Sequence, residues 1–378
     1  MRLGTCIALE IVTGLVAVGA TSMGTAWAVG ELRAAPSRGA PAAAFAPALT
    51  PALATAPVPA PLPDAVAAIA PAPLPDPGPA TPRIDEPGWS FAGQPDEPLL
   101  APLRTGKVTR VKFNRGGTSL SLRLDFDNGA RAAFKPEQTH LHSSPRREIA
   151  AYRIDRLLGI GRVPPAIGRT FALADLIAAV DKSQRFATPR LRTEAIARRG
   201  QVRGEMSWWI PVLGDMYIGK TRIDSTDAIV QWRRWLKAGA VIPAERRALC
   251  EQLSAMTLYD FLVDNTDRWT GNNAKSSADG TVLYFMDNTL AFSRQKNGSH
   301  KGRIYLERVQ TFSRRLVTRV RELDEAAVRR VLAGEVAPFE TLLTEVEIAA
   351  LLGRRVAALA YVDGLIATHG EDKVLVFP

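Results

Sequence analysis

The sequence predicts an α+β chain of two lobes, a β-rich lobe followed by a mainly helical lobe. Three short stretches of alternating hydrophobicity, joined by turns that contain glycine, follow one another over residues 107–134, as antiparallel strands do. Apolar residues then recur at helical spacing over residues 226–238 and 243–264. Near residue 95 the composition changes from mainly Ala and Pro to a mixed sequence rich in Leu, Val, Ile and Arg. We therefore expect one folded domain over residues 96–378.

The N-terminal segment, residues 1–28, has the layout of a secretory signal peptide. Arg2 precedes a mostly apolar stretch that ends in Ala-Trp-Ala at residues 26–28, which gives a basic start, an apolar centre and a small-x-small end. Glu10 interrupts the stretch, and about 20 apolar residues also suffice to span a membrane. A cleaved signal peptide and a membrane anchor both stay open. Either one predicts export to the periplasm, the cell envelope or the exterior.

Residues 29–95 are dominated by Ala and Pro, with only scattered charges. Proline fixes φ and removes a hydrogen-bond donor, so such a segment stays extended and does not pack. At roughly 3.1 Å per residue, the segment would reach on the order of 200 Å. We predict a disordered linker that tethers the folded domain to a membrane or to the cell envelope.

The formal net charge is +10, and Arg supplies most of the 48 basic residues. Two interpretations stay open: attraction to phosphate or acidic partners, and the codon bias of a GC-rich genome. The sequence has no run of five or more basic residues, so no nucleic-acid partner is expected. Its two cysteines, Cys6 and Cys250, exclude a disulfide framework once a signal peptide is removed.

The β-rich lobe supplies four candidate nucleotide-binding residues. Gly116 and Gly117 form the turn after the first strand, and Lys135 ends the third strand, where an ammonium can neutralise phosphates of ATP. Glu148 lies in the first turn of an amphipathic helix predicted over residues 146–159, and it can point back toward the sheet. Taken singly, the lysine fits a solvated strand end and the glutamate fits an acid that the helix dipole favours.

Further strands and helices carry the chain to the second lobe. Residues 163–171 and the tryptophan-containing run at 202–213 predict two strands. A partly helical insertion is expected between them, over residues 175–200. The helix over residues 243–264 then delivers the chain to a loop, and a short strand follows over residues 282–286.

This loop and strand carry the residues best suited to phosphoryl transfer. Asp267 is followed five residues later by Asn272, and Asp287 closes the short strand. The spacing reproduces a protein-kinase catalytic loop and its metal-binding aspartate. Asp267 is the candidate base, and Asn272 and Asp287 are candidate ligands of Mg²⁺ or Mn²⁺, which prefer oxygen donors. Each of the three could also be an ordinary turn residue.

In these residues the chain resembles the secretory-pathway atypical kinases of the four-jointed and Golgi casein kinase type, most closely their Golgi-associated kinase branch. The resemblance covers about residues 105–370. The composition of the chain favours a bacterial member of this family. The matching motifs are Phe134-Lys135-Pro136, Glu148-x3-Tyr152-x2-Asp155-Arg156-x-Leu158-Gly159 with Val163-Pro164, Leu258-Tyr259-Asp260-Phe261-Leu262 before Asp267-Arg268, Phe285-Met286-Asp287-Asn288, and the tail from Leu351 to Gly370.

The resemblance implies a two-lobed atypical protein-kinase-like fold, with an N-lobe at about residues 103–215 and a C-lobe at about 216–378. It also implies ATP with Mg²⁺ or Mn²⁺, Lys135 on the phosphates, Glu148 near Lys135 and the metal, Asp267 as base and Asp287 on the metal. The cysteines that form disulfides in the family are lacking here.

We therefore predict a metal-dependent kinase that transfers the γ-phosphate of ATP to a hydroxyl of a protein or a glycan. One alternative is a pseudokinase that binds nucleotide without transfer. Another is a basic, tethered protein that binds an anionic envelope polymer through arginines on two predicted helices, namely Arg314, Arg315, Arg319, Arg321, Arg329 and Arg330. The sequence does not identify the acceptor.

Overall fold

The computed structural model describes residues 88–114, 117–269 and 273–378. The predicted signal peptide or anchor at 1–28 and nearly all of the predicted linker at 29–95 lie outside these residues. Within the described ranges, no helix combines the length and the apolar character needed to cross a membrane.

Short strands and eleven α-helices make up the regular structure of the described residues. The strands are β1 Ser90–Phe91, β2 Gln94–Pro95, β3 Val108–Phe113, β4 Leu122–Phe126, β5 Arg131–Pro136, β6 Ala166–Ala172, β7 Ala197–Arg198, β8 Gln201–Trp208, β9 Gly214–Asp215, β10 Tyr217–Ile218, β11 Thr221–Arg222, β12 Lys275–Ser276 and β13 Leu283–Tyr284. The helices are α1 Asp96–Thr105, α2 Pro145–Leu157, α3 Leu173–Ala178, α4 Thr188–Glu194, α5 Thr226–Trp235, α6 Arg247–Val263, α7 His300–Leu306, α8 Arg314–Glu322, α9 Glu325–Ala333, α10 Glu345–His369 and α11 Glu371–Val374.

The first lobe is built on an antiparallel sheet in the order β3-β4-β5-β8-β6, and β7 also pairs with β8. The three strands predicted over residues 107–134 are its first three strands. Helix α2 packs on this sheet through buried side chains that include Ile149 and Ile154. Pro145 at its start needs no hydrogen-bond partner for its nitrogen, and Gly159 follows its end with a φ of 68°, a left-handed conformation that suits glycine. The predicted α+β class is confirmed.

The insertion predicted over residues 175–200 is partly helical, with α3, α4 and a 3₁₀ turn over Lys182–Ala187. It supports the edge strand β3. The Val111 amide donates to the Ala179 carbonyl at 2.8 Å, and the Phe113 amide donates to Gln184 Oε1 at 2.8 Å. Since β3 leads directly to the predicted glycine turn, the insertion fixes the base of that turn.

A short hairpin with a buried residue in its first strand, Phe91, precedes α1. Strands β1 and β2 pair with each other, and Trp89 and Phe91 are buried. Asp96 is also buried and accepts hydrogen bonds from Tyr152 Oη at 3.0 Å and Arg156 Nε at 2.6 Å. Composition assigned residues 90–95 to the linker, but these contacts place them in the folded body, which begins before Asp96.

The second lobe is centred on helix α6, whose side chains Leu253, Leu258 and Leu262 are buried. The helix ends at Asp264, which has a φ of 56°. The Asn265 amide then donates back to the Asp260 carbonyl at 2.8 Å, so the chain turns sharply into the loop that carries Asp267. The strand predicted over residues 282–286 is shorter than expected, because regular pairing is confined to Leu283–Tyr284.

Glu347 at the start of α10 holds the start of α2. Its carboxylate accepts hydrogen bonds from Arg146 and Arg147, both at 2.8 Å. With Thr344 it also forms a capping box, in which the side chains of the two residues satisfy each other's backbone amides. Burial raises the pKa of Glu347, but the hydrogen bonds from Arg146, Thr344 and Arg147 outweigh it and lower the pKa to about 2. The last long helix thus anchors the helix that carries Glu148.

Replacing Thr344 with alanine is expected to lower the free energy of unfolding by about 1 kcal/mol, the usual loss for an N-cap. Denaturant unfolding monitored by circular dichroism measures it. Thr318→Ala on the exposed face of α8 is the control, because it removes the same atoms from a helix interior and should change stability little. Equal losses for both variants would contradict the capping role.

Candidate active site

Side chains from a strand, a helix and a distant loop meet at one ammonium group. Lys135 extends from β5, and its Nζ lies 2.6 Å from Glu148 Oε1 on α2. The same Nζ lies 2.8 Å from Asp287 Oδ1, which follows β13. The structure therefore brings together three of the residues singled out in the sequence, from both lobes.

The positive charge of Lys135 and the negative charges beside it stabilise each other. Burial lowers the pKa of Lys135, but the charges of Asp287 and Glu148 outweigh it and hold this pKa above its usual range. The Lys135 charge in turn holds the pKa of Asp287 below its usual range, against the opposing effect of burial. Lys135 and Asp287 are therefore both ionised at neutral pH. The Asp287 side chain is still 44% exposed, so a ligand can reach it.

Asp287 is held in an uncommon backbone conformation, with a φ of 62°. Asn265 Nδ2 donates to its carbonyl at 3.0 Å, and Thr289 Oγ1 donates to its Oδ1 at 3.2 Å. A non-glycine residue in the left-handed region costs energy and persists where its surroundings fix it. These contacts orient the Asp287 carboxylate toward Lys135.

Asp267 lies in the loop after α6, and an asparagine side chain contacts its carboxylate. Asn273 Nδ2 donates to Asp267 Oδ2 at 2.8 Å and to the Asp267 carbonyl at 3.1 Å. The Asp267 amide donates to Asn265 Oδ1 at 3.1 Å. Asn265 thus contacts the backbones of both Asp267 and Asp287, which ties the two acidic loops together.

Two predicted site residues, Gly116 and Asn272, lie outside the described residues, and their roles stay predictions. Gly117 is described, in the loop between β3 and β4, with a φ of 77°. That conformation fits the predicted glycine turn. Its contact with a nucleotide also stays a prediction.

Arg268 is fully buried and connects three segments around the site. Its Nε donates to Asp260 Oδ2 at 3.1 Å, its Nη2 donates to Asn288 Oδ1 at 3.2 Å, and its Nη1 donates to the Met286 carbonyl. Burial raises the pKa of Asp260 to about 6, although Arg268 opposes this. The sequence showed Arg268 beside the candidate base, but not that it binds the loop of Asp287.

Asn288 uses its side-chain amide to join the two lobes. Its Nδ2 donates to Glu148 Oε2 at 3.3 Å and to the Phe285 carbonyl at 2.9 Å. Its Oδ1 accepts from Asn265 Nδ2 at 2.9 Å, in addition to Arg268. A carboxylate could not replace this amide, since it has no N–H to donate to Glu148.

Sequence reasoning missed Glu205, which lies on β8 directly opposite Lys135. An acidic residue in a strand usually faces solvent, but Glu205 is only 1% exposed. Burial, followed by the charge of Glu148, raises its pKa to about 8, although Lys135 lowers it. The alternation of residues in the predicted strand groups Glu205 with Arg203 and Ser207, away from Val202 and Met206, and so predicts a polar face. Only the strand register shows that Glu205 faces Lys135.

The donors around Lys135 suit a hard divalent cation. Among the described residues, no group of three or more His, Cys, Asp or Glu side chains forms a metal site by itself. Glu148 and Asp287 nevertheless each place a carboxylate oxygen within hydrogen-bond distance of one nitrogen. Because both oxygens contact the same Lys135 nitrogen, the distance between them cannot exceed the sum of the two N···O distances. Mg²⁺ commonly takes one or two carboxylates and fills its other positions with phosphate oxygens and water, so this pair fits such an ion.

Part of the domain matches a known family, and several known proteins are similar to the chain. The family described as "Golgi casein kinase, C-terminal, Fam20" matches residues 94–191. Human extracellular serine/threonine protein kinase FAM20C is 24% identical over 245 residues, covering 52% of this chain and 41% of that protein. The glycosaminoglycan xylosylkinase of Danio rerio is 24% identical over 326 residues, covering 74% and 77%. Human pseudokinase FAM20A is 23% identical over 314 residues, covering 69% and 56%.

Solved structures show the same fold. The Golgi casein kinase with Mn and ADP bound superposes with a TM-score of 0.57 at 17% identity, covering 74% of this chain and 78% of that one. Hydra Fam20 with sugar superposes with a TM-score of 0.52 at 19% identity, covering 73% and 90%. The Golgi-associated branch and the bacterial source stay predictions. Residues 94–191 thus match the Fam20 family model, and the fold of the described residues is the two-lobed, kinase-like α+β fold of the solved Fam20 proteins.

Proposed function

We propose that the protein is a metal-dependent kinase that transfers the γ-phosphate of ATP to a hydroxyl of a protein or a glycan. The observation that carries the proposal is the Lys135 ammonium, which contacts Glu148 from the first lobe and Asp287 from the second. A kinase needs a lysine, a helical glutamate and a metal-binding aspartate in this arrangement. The similar proteins include a serine/threonine protein kinase and a glycosaminoglycan kinase, which supports both acceptor classes.

Each residue has a role in this mechanism. Lys135 would neutralise the phosphates of ATP that are not transferred. Asp287 and Asn272, with Glu148 beside them, would hold Mg²⁺ or Mn²⁺. The metal supplies positive charge that stabilises the charge developing on the transferred group. Both Lys135 and Asp287 already carry the charge that these roles require, since each stabilises the ionised form of the other.

Asp267 would orient the acceptor hydroxyl and accept its proton as the new bond to phosphorus forms. Its carboxylate needs a fixed direction for this, and the hydrogen bond from Asn273 Nδ2 supports one. The hydrogen bonds of Asn265 to the backbones of Asp267 and Asp287 would keep the base at a constant distance from the metal-binding aspartate.

Replacing Asp267 with asparagine is expected to lower the turnover of phosphate transfer about 10²-fold, the contribution of a positioned general base. The assay uses the full chain, labelled ATP and Mn²⁺, with panels of proteins and glycans as acceptors. Asp227→Asn, in the exposed first turn of α5, is the control and should transfer normally. An Asp267→Asn variant with the turnover of the wild type would refute the assignment of the base.

A nucleotide-binding pseudokinase is the second candidate, favoured by the similarity to pseudokinase FAM20A. Measuring nucleotide binding and phosphate transfer on the same protein separates the two candidates. ADP with Mn²⁺ should raise the melting temperature in both cases, whereas transfer and ATP hydrolysis are expected only of a kinase. The presence of Asp267, and of Asp287 beside Lys135, supports the kinase.

The basic envelope-binding alternative loses support from the ion pairs of α8 and α9. Arg321 contacts Asp363, and Arg329 contacts both Glu325 and Glu345. Arginines that are already paired offer little net charge to an anionic polymer. The predicted leader at 1–28 and tether at 29–95 still make export part of the proposal, as does the similarity to an extracellular kinase.

A further inference from the structure

Glu205 and Lys135 face each other across the centre of the sheet. They are directly opposed residues of the antiparallel pair β5 and β8, so their side chains project from the same face. That is the face on which Lys135 meets Glu148 and Asp287. The backbone of β8 is closely packed at this point, because a Cβ added at Gly204 would lie 2.5 Å from the Lys135 carbonyl oxygen. Glu205 is therefore held in this position.

Only one of the two carboxyl oxygens of Glu205 has a partner among the described residues. Oε1 accepts a hydrogen bond from Ser207 Oγ, and Oε2 is buried with no hydrogen-bond partner. A buried polar atom without a partner costs free energy, about 1–3 kcal/mol or more. An unpaired buried atom of this kind calls for an explanation, and a functional role is one that native structures use.

Lys135, directly opposite on β5, is the cation whose charge acts on Glu205. An ammonium has three N–H donors, and the Lys135 ammonium donates to Glu148 and to Asp287. Under the proposed function both of these carboxylates turn toward a divalent cation. Before a nucleotide supplies its phosphates, the ammonium would then lose its counter-ions in a largely buried site, which is costly unless another anion takes their place.

We propose that Glu205 is the second counter-ion of Lys135: its carboxyl releases its proton and receives the ammonium when Glu148 and Asp287 bind the divalent cation. This inference rests on the proposed function. Glu205 is a positioning residue, because it acts on the metal site through Lys135. It lowers the cost of separating Lys135 from the two carboxylates, and so it strengthens metal binding and keeps the ammonium charged beside the phosphates.

The test measures Mn²⁺ binding to the full chain by electron paramagnetic resonance, without nucleotide. Glu205→Gln keeps the shape but cannot ionise, and it should weaken Mn²⁺ binding on the order of 10–100-fold, as loss of a supporting residue does at other metal sites. Glu205→Asp keeps an ionisable carboxyl and should bind Mn²⁺ about as well as the wild type. Asp125→Asn, a carboxylate of the same sheet paired with arginines, is the control and should have no effect.

A second arm decides how Glu205 acts. In a Lys135→Met background, Glu205→Gln should no longer change Mn²⁺ binding, since the ammonium that it serves is gone. A persistent effect would mean that Glu205 acts on the metal itself and would overturn the inference, as would unchanged binding by Glu205→Gln in the wild-type background or equal weakening by Glu205→Asp.

Failure of the proposed function is distinguishable from failure of the inference. If the wild-type chain bound no Mn²⁺ with or without ADP, the metal site would be wrong, and the role of Glu205 would be overturned with it. If the wild type bound Mn²⁺ and Glu205→Gln bound it equally well, only the inference would be overturned.

Discussion

Replacing Asp287 with asparagine is expected to lower the turnover of phosphate transfer about 10³-fold or more. The change keeps the size of the side chain and removes the charge that pairs with Lys135 at 2.8 Å. A neutral amide is a poor ligand for a hard cation compared with a carboxylate, and metal stabilisation of the transferring phosphate is worth several kcal/mol. A loss of about 4 kcal/mol corresponds to roughly 10³ in rate.

The effect exceeds that expected for Asp267 because Asp287 has two partners. Its carboxylate would hold the metal, and it also stabilises the charged form of Lys135, together with Glu148. Loss of the charge leaves the ammonium with fewer counter-ions in a buried site. Both the metal and the lysine are therefore displaced from the phosphates by one substitution.

The measurement is the turnover of the full chain at saturating ATP, repeated over a Mn²⁺ titration. The control is Asp215→Asn, because Asp215 also forms an ion pair with a lysine, Lys275, at 2.8 Å, in a different sheet of the molecule. If Asp287→Asn kept wild-type turnover at ordinary Mn²⁺ concentrations, Asp287 would not be the metal ligand and the site would have to be reassigned.

The sequence predicted the residues whose roles depend on local spacing. Asp267 follows a helix and Asp287 follows a strand, and short-range patterns identify both elements. Lys135 lies near the end of a predicted strand, and Glu148 lies near the start of a predicted helix. The meeting of Glu148 and Asp287 at the Lys135 nitrogen is not visible in those patterns, since Lys135 and Asp287 are 152 residues apart. The order of the five motifs along the chain was the only sequence evidence for it.

The residues that were missed depend on long-range packing. The role of Glu205 requires the register of β5 on β8. Trp89 lies in a stretch that is linker by composition, and its burial depends on α2, where its ring meets Tyr152 at 5.7 Å edge-to-face. Composition averages over a window, so it cannot detect one or two anchoring aromatic residues at the end of a proline-rich segment.

One motif of the family resemblance gains a physical explanation. Asp155, at the end of α2, accepts hydrogen bonds from the amides of Gly161, Arg162 and Val163 at 3.0 to 3.2 Å. It thereby fixes the turn that leads from α2 into β6. Burial raises the pKa of Asp155 in spite of these amides and the adjacent Arg156. The acidic residue in this motif is thus structural, and it sets the angle at which α2 presents Glu148.

Replacing Arg268 with methionine is expected to lower the free energy of unfolding by about 3 kcal/mol, at the lower end of the 3–5 kcal/mol that breaking a buried ion pair costs. The substitution leaves the Asp260 carboxylate and the Met286 carbonyl without their guanidinium donor. The loss is limited because burial already raises the pKa of Asp260 to about 6, so without Arg268 the carboxyl takes up a proton at a modest cost.

Denaturant unfolding of the full chain measures the change, and Arg233→Met on the exposed face of α5 is the matched control. Adding Asp260→Asn to Arg268→Met should cost less than the sum of the single variants, because removing both partners leaves no unpaired charge. Additive losses would show that the two side chains do not act as a pair.

Phosphate transfer by Arg268→Met should fall even at temperatures where the variant is folded, because the loop of Asp267 and the loop of Asp287 are joined through this guanidinium. Normal transfer by the folded variant would instead assign that connection to Asn265 alone.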